Sequence, residues 1–197
     1  MINDMSAIDS EKSDSIIKQI AAHYEEILRL IGENPEREGL KKTPMRAAKA
    51  LYDVTSGYRI SAESVVNSAV FEYAGSNIIV VKDIEFYSLC EHHILPFFGV
   101  VTIGYVPDGS MIGLSKLARL VEVFARRLQV QERLTQQICD TLSSILSQKG
   151  VIVVCEAGHL CMKMRGVEKQ QSVTTTMAYS GVFEDSDTRR AFFDMIK

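Results

Sequence analysis

Two stretches, Ile78–Tyr87 (IIVVKDIEFY) and Gly99–Tyr105 (GVVTIGY), are rich in β-branched and aromatic residues and bracket the segment Ser88–Phe98. Residues of this kind fit a pleated, half-buried surface, so the two stretches read as paired strands. After them the turn signal Pro107-Asp108-Gly109 precedes Leu117, Leu120, Val121, Phe124 and Leu128, which fall at helical spacing. Leu134, Ile138, Leu142 and Ile145 mark a second helix that ends near Gly150, and the two read as a helical hairpin. Val151–Cys155 and Ser172–Tyr179 supply two further strands. Toward the N-terminus, Ile16, Ile20, Tyr24, Ile27 and Ile31 mark an amphipathic helix over Ser15–Ile31, closed by Gly32. Thr43 before Pro44 reads as a cap with proline at the first helical position, opening a helix to about Val54. Two helices, two strands, two helices and two strands make an α+β fold with an antiparallel sheet, not one built from βαβ units.

A chain of 197 residues suits one domain with an arm. The polar residues 1–14 read as a mobile N-terminal arm, and residues 15–197 as a single domain, with N-terminal helices over 15–57 and a core over about 70–197. With 46% hydrophobic and 24% charged residues the chain is neither disordered nor collagen-like. The 22 Lys and Arg stand against 25 Asp and Glu, a net charge of -3, so a whole-surface footprint for nucleic acid is absent and an anionic ligand needs a local basic pocket. The longest apolar run, Ile94–Val101, is broken by Pro96 and Gly99 and falls far short of the roughly 18 residues of a membrane span. No apolar stretch follows the acid-rich start as a secretion signal requires, so a cytoplasmic address is expected. Four cysteines are too few for a disulfide scaffold of this size.

Cys90-Glu91-His92-His93 is the densest group of metal-competent side chains, and His159 with Cys161 is the second. Cys90 and His93, two residues between them, can turn toward one ion as thiolate and imidazole ligands of zinc. Cys161 could complete a set of two thiolates and one imidazole, with the fourth position open as in catalytic sites. Buried thiols, surface imidazoles or a disulfide between Cys90 and Cys161 fit the same spacing, so spacing alone leaves the metal open. His92 and His159 remain as acid–base groups, since an imidazole both gives and takes a proton near neutral pH. Cys139 and Cys155 sit in apolar patterns and read as core thiols. Lys116 and Arg119 open a helix behind Gly113 and Ser115, where free N–H groups and the helix dipole favour phosphate. Arg46 with Lys49, three apart on a helix, and Arg165 add cations that read equally well as a solvated face. Glu132 reads equally well as a first-turn acid offsetting the dipole.

Ser88–His93 (SLCEHH), Gly113–Arg119 (GLSKLAR), Gln129–Gln137 (QVQERLTQQ) and His159–Gly166 (HLCMKMRG) together resemble type I GTP cyclohydrolase, in that family's order and spacing from about Thr43 to Phe193. The resemblance implies conversion of GTP and water to 7,8-dihydroneopterin triphosphate and formate, the first step of folate or biopterin synthesis. It implies the tunnelling fold, in which sheets of neighbouring subunits join into a barrel and two pentamers stack as a homodecamer with interfacial active sites. Carried over by motif, Cys90, His93 and Cys161 are the Zn2+ ligands, His92 and His159 the proton-transfer pair, and Ser115 a further catalytic hydroxyl. Glu132 accepts hydrogen bonds from guanine N1–H and the 2-amino group, with Gln131 beside it in the substrate set. Arg46, Lys49, Ser115, Lys116, Arg119 and Arg165 form the local positive field that a triphosphate needs. A regulatory protein partner is compatible with this reading, while nucleic acid and membrane are not expected. The signature of a zinc nucleobase deaminase is absent, because Cys155 and Cys161 are separated by five residues and no Cys-x-x-Cys occurs. A related ring-opening enzyme with another metal or product, or a purine-binding protein without catalysis, are the competing readings.

Overall fold

Every strand expected from the β-branched runs is present in the computed structural model, which describes residues 2–66 and 69–197. The chain divides into two units, Met1–Thr55 and Ser56–Lys197. The first holds α1 (Ile2–Leu30) and α2 (Thr43–Val54). Helix α1 starts at Ile2 and not at Ser15, because no glycine or proline interrupts the chain before Gly32 even though the apolar period begins only at Ile16. Gly32, at φ +88°, ends it. Lys42, not Thr43, holds the N-cap position of α2, without a side-chain cap; Thr43 is already helical and its hydroxyl donates back to Gly39 O at 3.4 Å. Ser13 Oγ and Tyr52 Oη meet at 2.8 Å between the two helices, and Ala48 is the residue α2 buries.

The second unit is built on a five-stranded sheet. Strand β2 (Ile79–Cys90) pairs antiparallel with β3 (Pro96–Pro107), β3 with β6 (Gln148–His159), and β6 with β7 (Thr174–Tyr179). The two-residue strand β5 (Leu128–Gln129) joins β2 in parallel, giving the order β5-β2-β3-β6-β7. In a separate pair β1 (Val70–Tyr73) joins β4 (Gly109–Ile112), which starts at the Pro107-Asp108-Gly109 turn, so that turn leads into a strand before the helix begins. Helices α3 (Ala62–Val66), α4 (Leu114–Ala125), α5 (Gln131–Ile145), α6 (Leu160–Lys163) and α7 (Ser186–Ile196) complete the unit.

Leu117, Leu120, Val121 and Phe124 of α4 and Leu134, Ile138 and Leu142 of α5 pack in one core with Phe86, Phe97, Val101, Ile103 and Tyr105. Those strand residues share a face because side chains alternate along β2 and β3. On the opposite face Val106, Ile152 and Val154 pack with Phe183 and with Phe192 of α7, a helix whose apolar pattern is too short to read from the sequence. Leu128 is not in the first helix of the hairpin: α4 stops at Ala125 and the chain then pairs with β2 before α5 begins. Strands β2 and β3 also run closer together than their β-rich cores, since Ser88↔Phe97 and Leu89↔Pro96 continue the ladder and leave only Glu91–Leu95 to turn. Gly99 lets β3 approach β6, because a Cβ there would lie 1.9 Å from Glu156 O.

Candidate active site

The turn after β2 is closed by main-chain bonds that converge on Cys90. Its N–H donates to Leu95 O at 2.9 Å, and its carbonyl accepts from His93 N at 3.3 Å and Ile94 N at 2.8 Å. Ile94 takes φ +53°, the left-handed region, to make this possible. The turn leaves the Cys90 thiol buried and His93 exposed on one side of the chain. Across the sheet, the pairing of Phe97 with His159 carries the end of β6 to the same place, and α6 begins there with Cys161 on it. The ligand atoms of Cys90, His93 and Cys161 all lie within 4.8 Å of one another. Two thiols and one imidazole at that separation fit a tetrahedral ion with one position open, the donor set of catalytic zinc. Burial, and then the neighbouring Cys90 thiol, push the Cys161 thiol up, while Arg165 pulls it down. An ion shared by the two sulfurs resolves that conflict, because it deprotonates its thiol ligands.

The chain matches the family model described as GTP cyclohydrolase I over residues 20–197. The chain belongs to the GTP cyclohydrolase I family. It is 52% identical over 192 residues to GTP cyclohydrolase 1 of Porphyromonas gingivalis, covering 98% of each chain. To GTP cyclohydrolase 1 of Bacteroides thetaiotaomicron it is 49% identical over 181 residues, covering 92% of each chain. To that of Methylococcus capsulatus it is 54% identical over 174 residues, covering 88% of this chain and 94% of the relative. An archaeosine synthase QueF-Like structure in the apo form aligns with a TM-score of 0.40 at 14% identity, over 53% of this chain and 93% of its own; a score this low adds nothing to the assignment.

Within this GTP cyclohydrolase I chain, two imidazoles stand beside the cluster in different surroundings. His92 is exposed on the turn, its Nδ1 3.9 Å from Cys90 Sγ and its Nε2 3.9 Å from Glu91 Oε1. His159 is half-buried, stacked on Phe97 at 4.7 Å between centroids and 1° between planes, with Nε2 2.8 Å from Gln131 Oε1. Its burial lowers its pKa, the Glu132 carboxylate raises it and the Lys163 ammonium lowers it. Arg165 Nη1 donates to His93 Nε2 at 3.4 Å. Glu132 is exposed in the first turn of α5, next to the buried Gln131.

The remaining predicted residues lie elsewhere in the chain. Ser115, Lys116 and Arg119 stand on the first turns of α4. Arg119 lines a cavity of about 230 Å³ with Ser56, Ile60, Val65 and Glu122, which none of the three ligand residues lines. Arg46 and Lys49 are exposed on α2, in the first unit. Two supporting contacts escape sequence reasoning. Arg133 forms an ion pair with Glu91 and donates from Nε to Gln129 Oε1 at 2.9 Å, tying α5 to the metal turn. Phe97 backs the His159 ring. The signal available for Gln131 was its position, three before Leu134 and seven before Ile138 on the apolar stripe of α5, where a polar side chain needs a partner.

Proposed function

We propose that this chain is a zinc-dependent GTP cyclohydrolase that opens the imidazole ring of guanine at C8 and yields 7,8-dihydroneopterin triphosphate and formate. The observation that carries the reading is the convergence of Cys90, His93 and Cys161 beside two imidazoles in a chain of this family. Bound by those three side chains, zinc supplies the Lewis acidity that makes water nucleophilic at neutral pH. His92, exposed on the turn, gives a proton to the ring nitrogen as its bond to C8 breaks, and His159 exchanges the later protons. Ser115 is the candidate hydroxyl for the sugar rearrangement. Glu132 accepts from guanine N1–H and the 2-amino group, and an unpaired carboxylate would reject adenine, a mismatch of the kind that discriminates by roughly 10⁴–10⁵.

The triphosphate is assigned to Ser115, Lys116, Arg119 and Arg165, with Arg46 and Lys49 of the first unit as further cations that the resemblance implies. In the tunnelling-fold reading, sheets of neighbouring subunits join through edges such as β7 into a barrel, and two pentamers make a decamer. By the resemblance, α4 of one subunit serves the metal cluster of the next in that decamer. Among the described residues no helix is long and apolar enough to cross a membrane; the cytoplasm is the compartment we propose.

The test is to incubate the zinc-loaded protein with GTP and measure formate together with the fluorescent neopterin formed after oxidation and dephosphorylation. Both products are expected, and both are lost after chelation and in Cys161→Ser, which also loses stoichiometric zinc. Formate absent although GTP binds would overturn the reading.

A further inference from the structure

Gln131 is 1% exposed and every polar atom of its side chain is engaged by the protein. Its Nε2 donates to Cys155 O and Thr174 O, each at 2.9 Å, with Thr176 Oγ1 at 3.2 Å as a weaker third acceptor. Two of these partners are carbonyl oxygens, which only accept, so the amide cannot be turned over without setting Oε1 against both. Oε1 therefore faces His159 Nε2 at 2.8 Å. An amide oxygen only accepts, so the hydrogen between them belongs to His159 Nε2. The surrounding hydroxyls agree. Thr135 Oγ1 donates to Gln131 O at 2.8 Å, so in its 2.7 Å contact with Thr176 it accepts, and Thr176 keeps its lone pairs for the Gln131 amide. The flat stack on Phe97 holds the ring in that plane.

We infer that Gln131 is a positioning residue: it holds His159 as the Nε2–H tautomer, so that Nδ1 alone exchanges protons at the reaction centre. The inference rests on the cyclohydrolase reading for what His159 reacts with, but not for which nitrogen carries the hydrogen. It moves the Gln131 side chain out of contact with guanine and gives it to the histidine. The same amide bridges β6 and β7 through Cys155 O and Thr174 O, so the tautomer is set by the sheet itself. A neutral imidazole has one donor and one acceptor nitrogen, and assigning them fixes the direction in which a proton passes.

The experiment is nitrogen NMR of the zinc-loaded protein labelled with ¹⁵N only at histidine. The chain has four histidines, and the signal missing in His159→Asn identifies the fourth. Wild-type His159 is expected to show a protonated Nε2 and a bare Nδ1 without GTP present; a protonated Nδ1 overturns the proposal and needs no variant that must fold. In Gln131→Met both tautomers are expected, and kcat for formate release falls on the order of 10²-fold, the scale of a misplaced acid–base group, with KM for GTP within twofold. Zinc content and particle mass, measured on the same sample, confirm that the variant is folded. A raised KM with unchanged kcat would make Gln131 a substrate contact and also overturn the proposal. If wild-type protein releases no formate while the NMR shows Nε2–H, the enzymatic reading fails while the assignment of the hydrogen to Nε2 by Gln131 stands.

Discussion

Glycine and alanine placed in turn at Ile94 measure the strain in the metal turn. Ile94 adopts φ +53° so that its N–H and that of His93 both reach Cys90 O. At ordinary positions glycine is less favourable than alanine by roughly 0.5–1 kcal/mol, because it has more backbone freedom to lose. In the left-handed region a Cβ crowds the following carbonyl at a cost of roughly 1–2 kcal/mol, which reverses the order. Ile94 is 56% exposed, and both substitutions remove the same partly buried side chain, so that loss cancels between them. The difference left is backbone alone, about 1 kcal/mol in favour of glycine. For a chain of this length that is about 2–4 °C in melting temperature. The two variants are melted at one protein and zinc concentration, since metal and assembly both shift apparent stability. Ile94→Ala melting at or above Ile94→Gly would refute the left-handed turn, and with it the account of how Cys90 and His93 come to face one ion.

Gly99→Ala is expected to destabilise by about 3 kcal/mol, at the upper end of overpacking, because its Cβ would meet Glu156 O at 1.9 Å and Ala157 Cα at 2.7 Å. An unchanged melting temperature would refute the β3–β6 register. Burial pushes the Cys139 thiol up to about 11 and the Cys155 thiol up to about 12. The reactive thiolate grows as pH rises toward those values, so at pH 8 roughly one molecule in 10³ carries it at Cys139 and one in 10⁴ at Cys155. In the chelated protein, alkylation followed by mass spectrometry should modify the less buried Cys161 first, and Cys155 modified as fast would refute the core assignment.

The strand pair at the centre of the fold is legible because Ile78–Tyr87 and Gly99–Tyr105 are rich in β-branched and aromatic residues, which fit a pleated sheet. Its continuation to Cys90 is not, since Ser88 and Cys90 carry no strand signal and only the register opposite Phe97 and Pro96 extends the ladder. Cys90 and His93 are near neighbours, so their pairing is readable from spacing. Cys161 joins them only through the pairing of β6 with β3, which composition does not reveal. The role of Gln131 was hidden for the same reason, its acceptors lying on two strands that follow it by more than twenty residues. Leu128 misleads because an apolar residue at helical spacing is indistinguishable from one that starts a short strand.

Strand β5 is only two residues long, yet Gln129 O accepts from Glu91 N at 3.0 Å on one side, and α5 starts two residues later on the other. The backbone that presents Glu132 is therefore stitched to the backbone that presents Cys90 and His93. In the proposed reading base preference and metal affinity therefore rest on one stretch of backbone, and sliding the chain between Leu128 and Arg133 would move both. If Glu132 reads the base as proposed, a redesign for a different purine should alter side chains there and leave the main chain where it is.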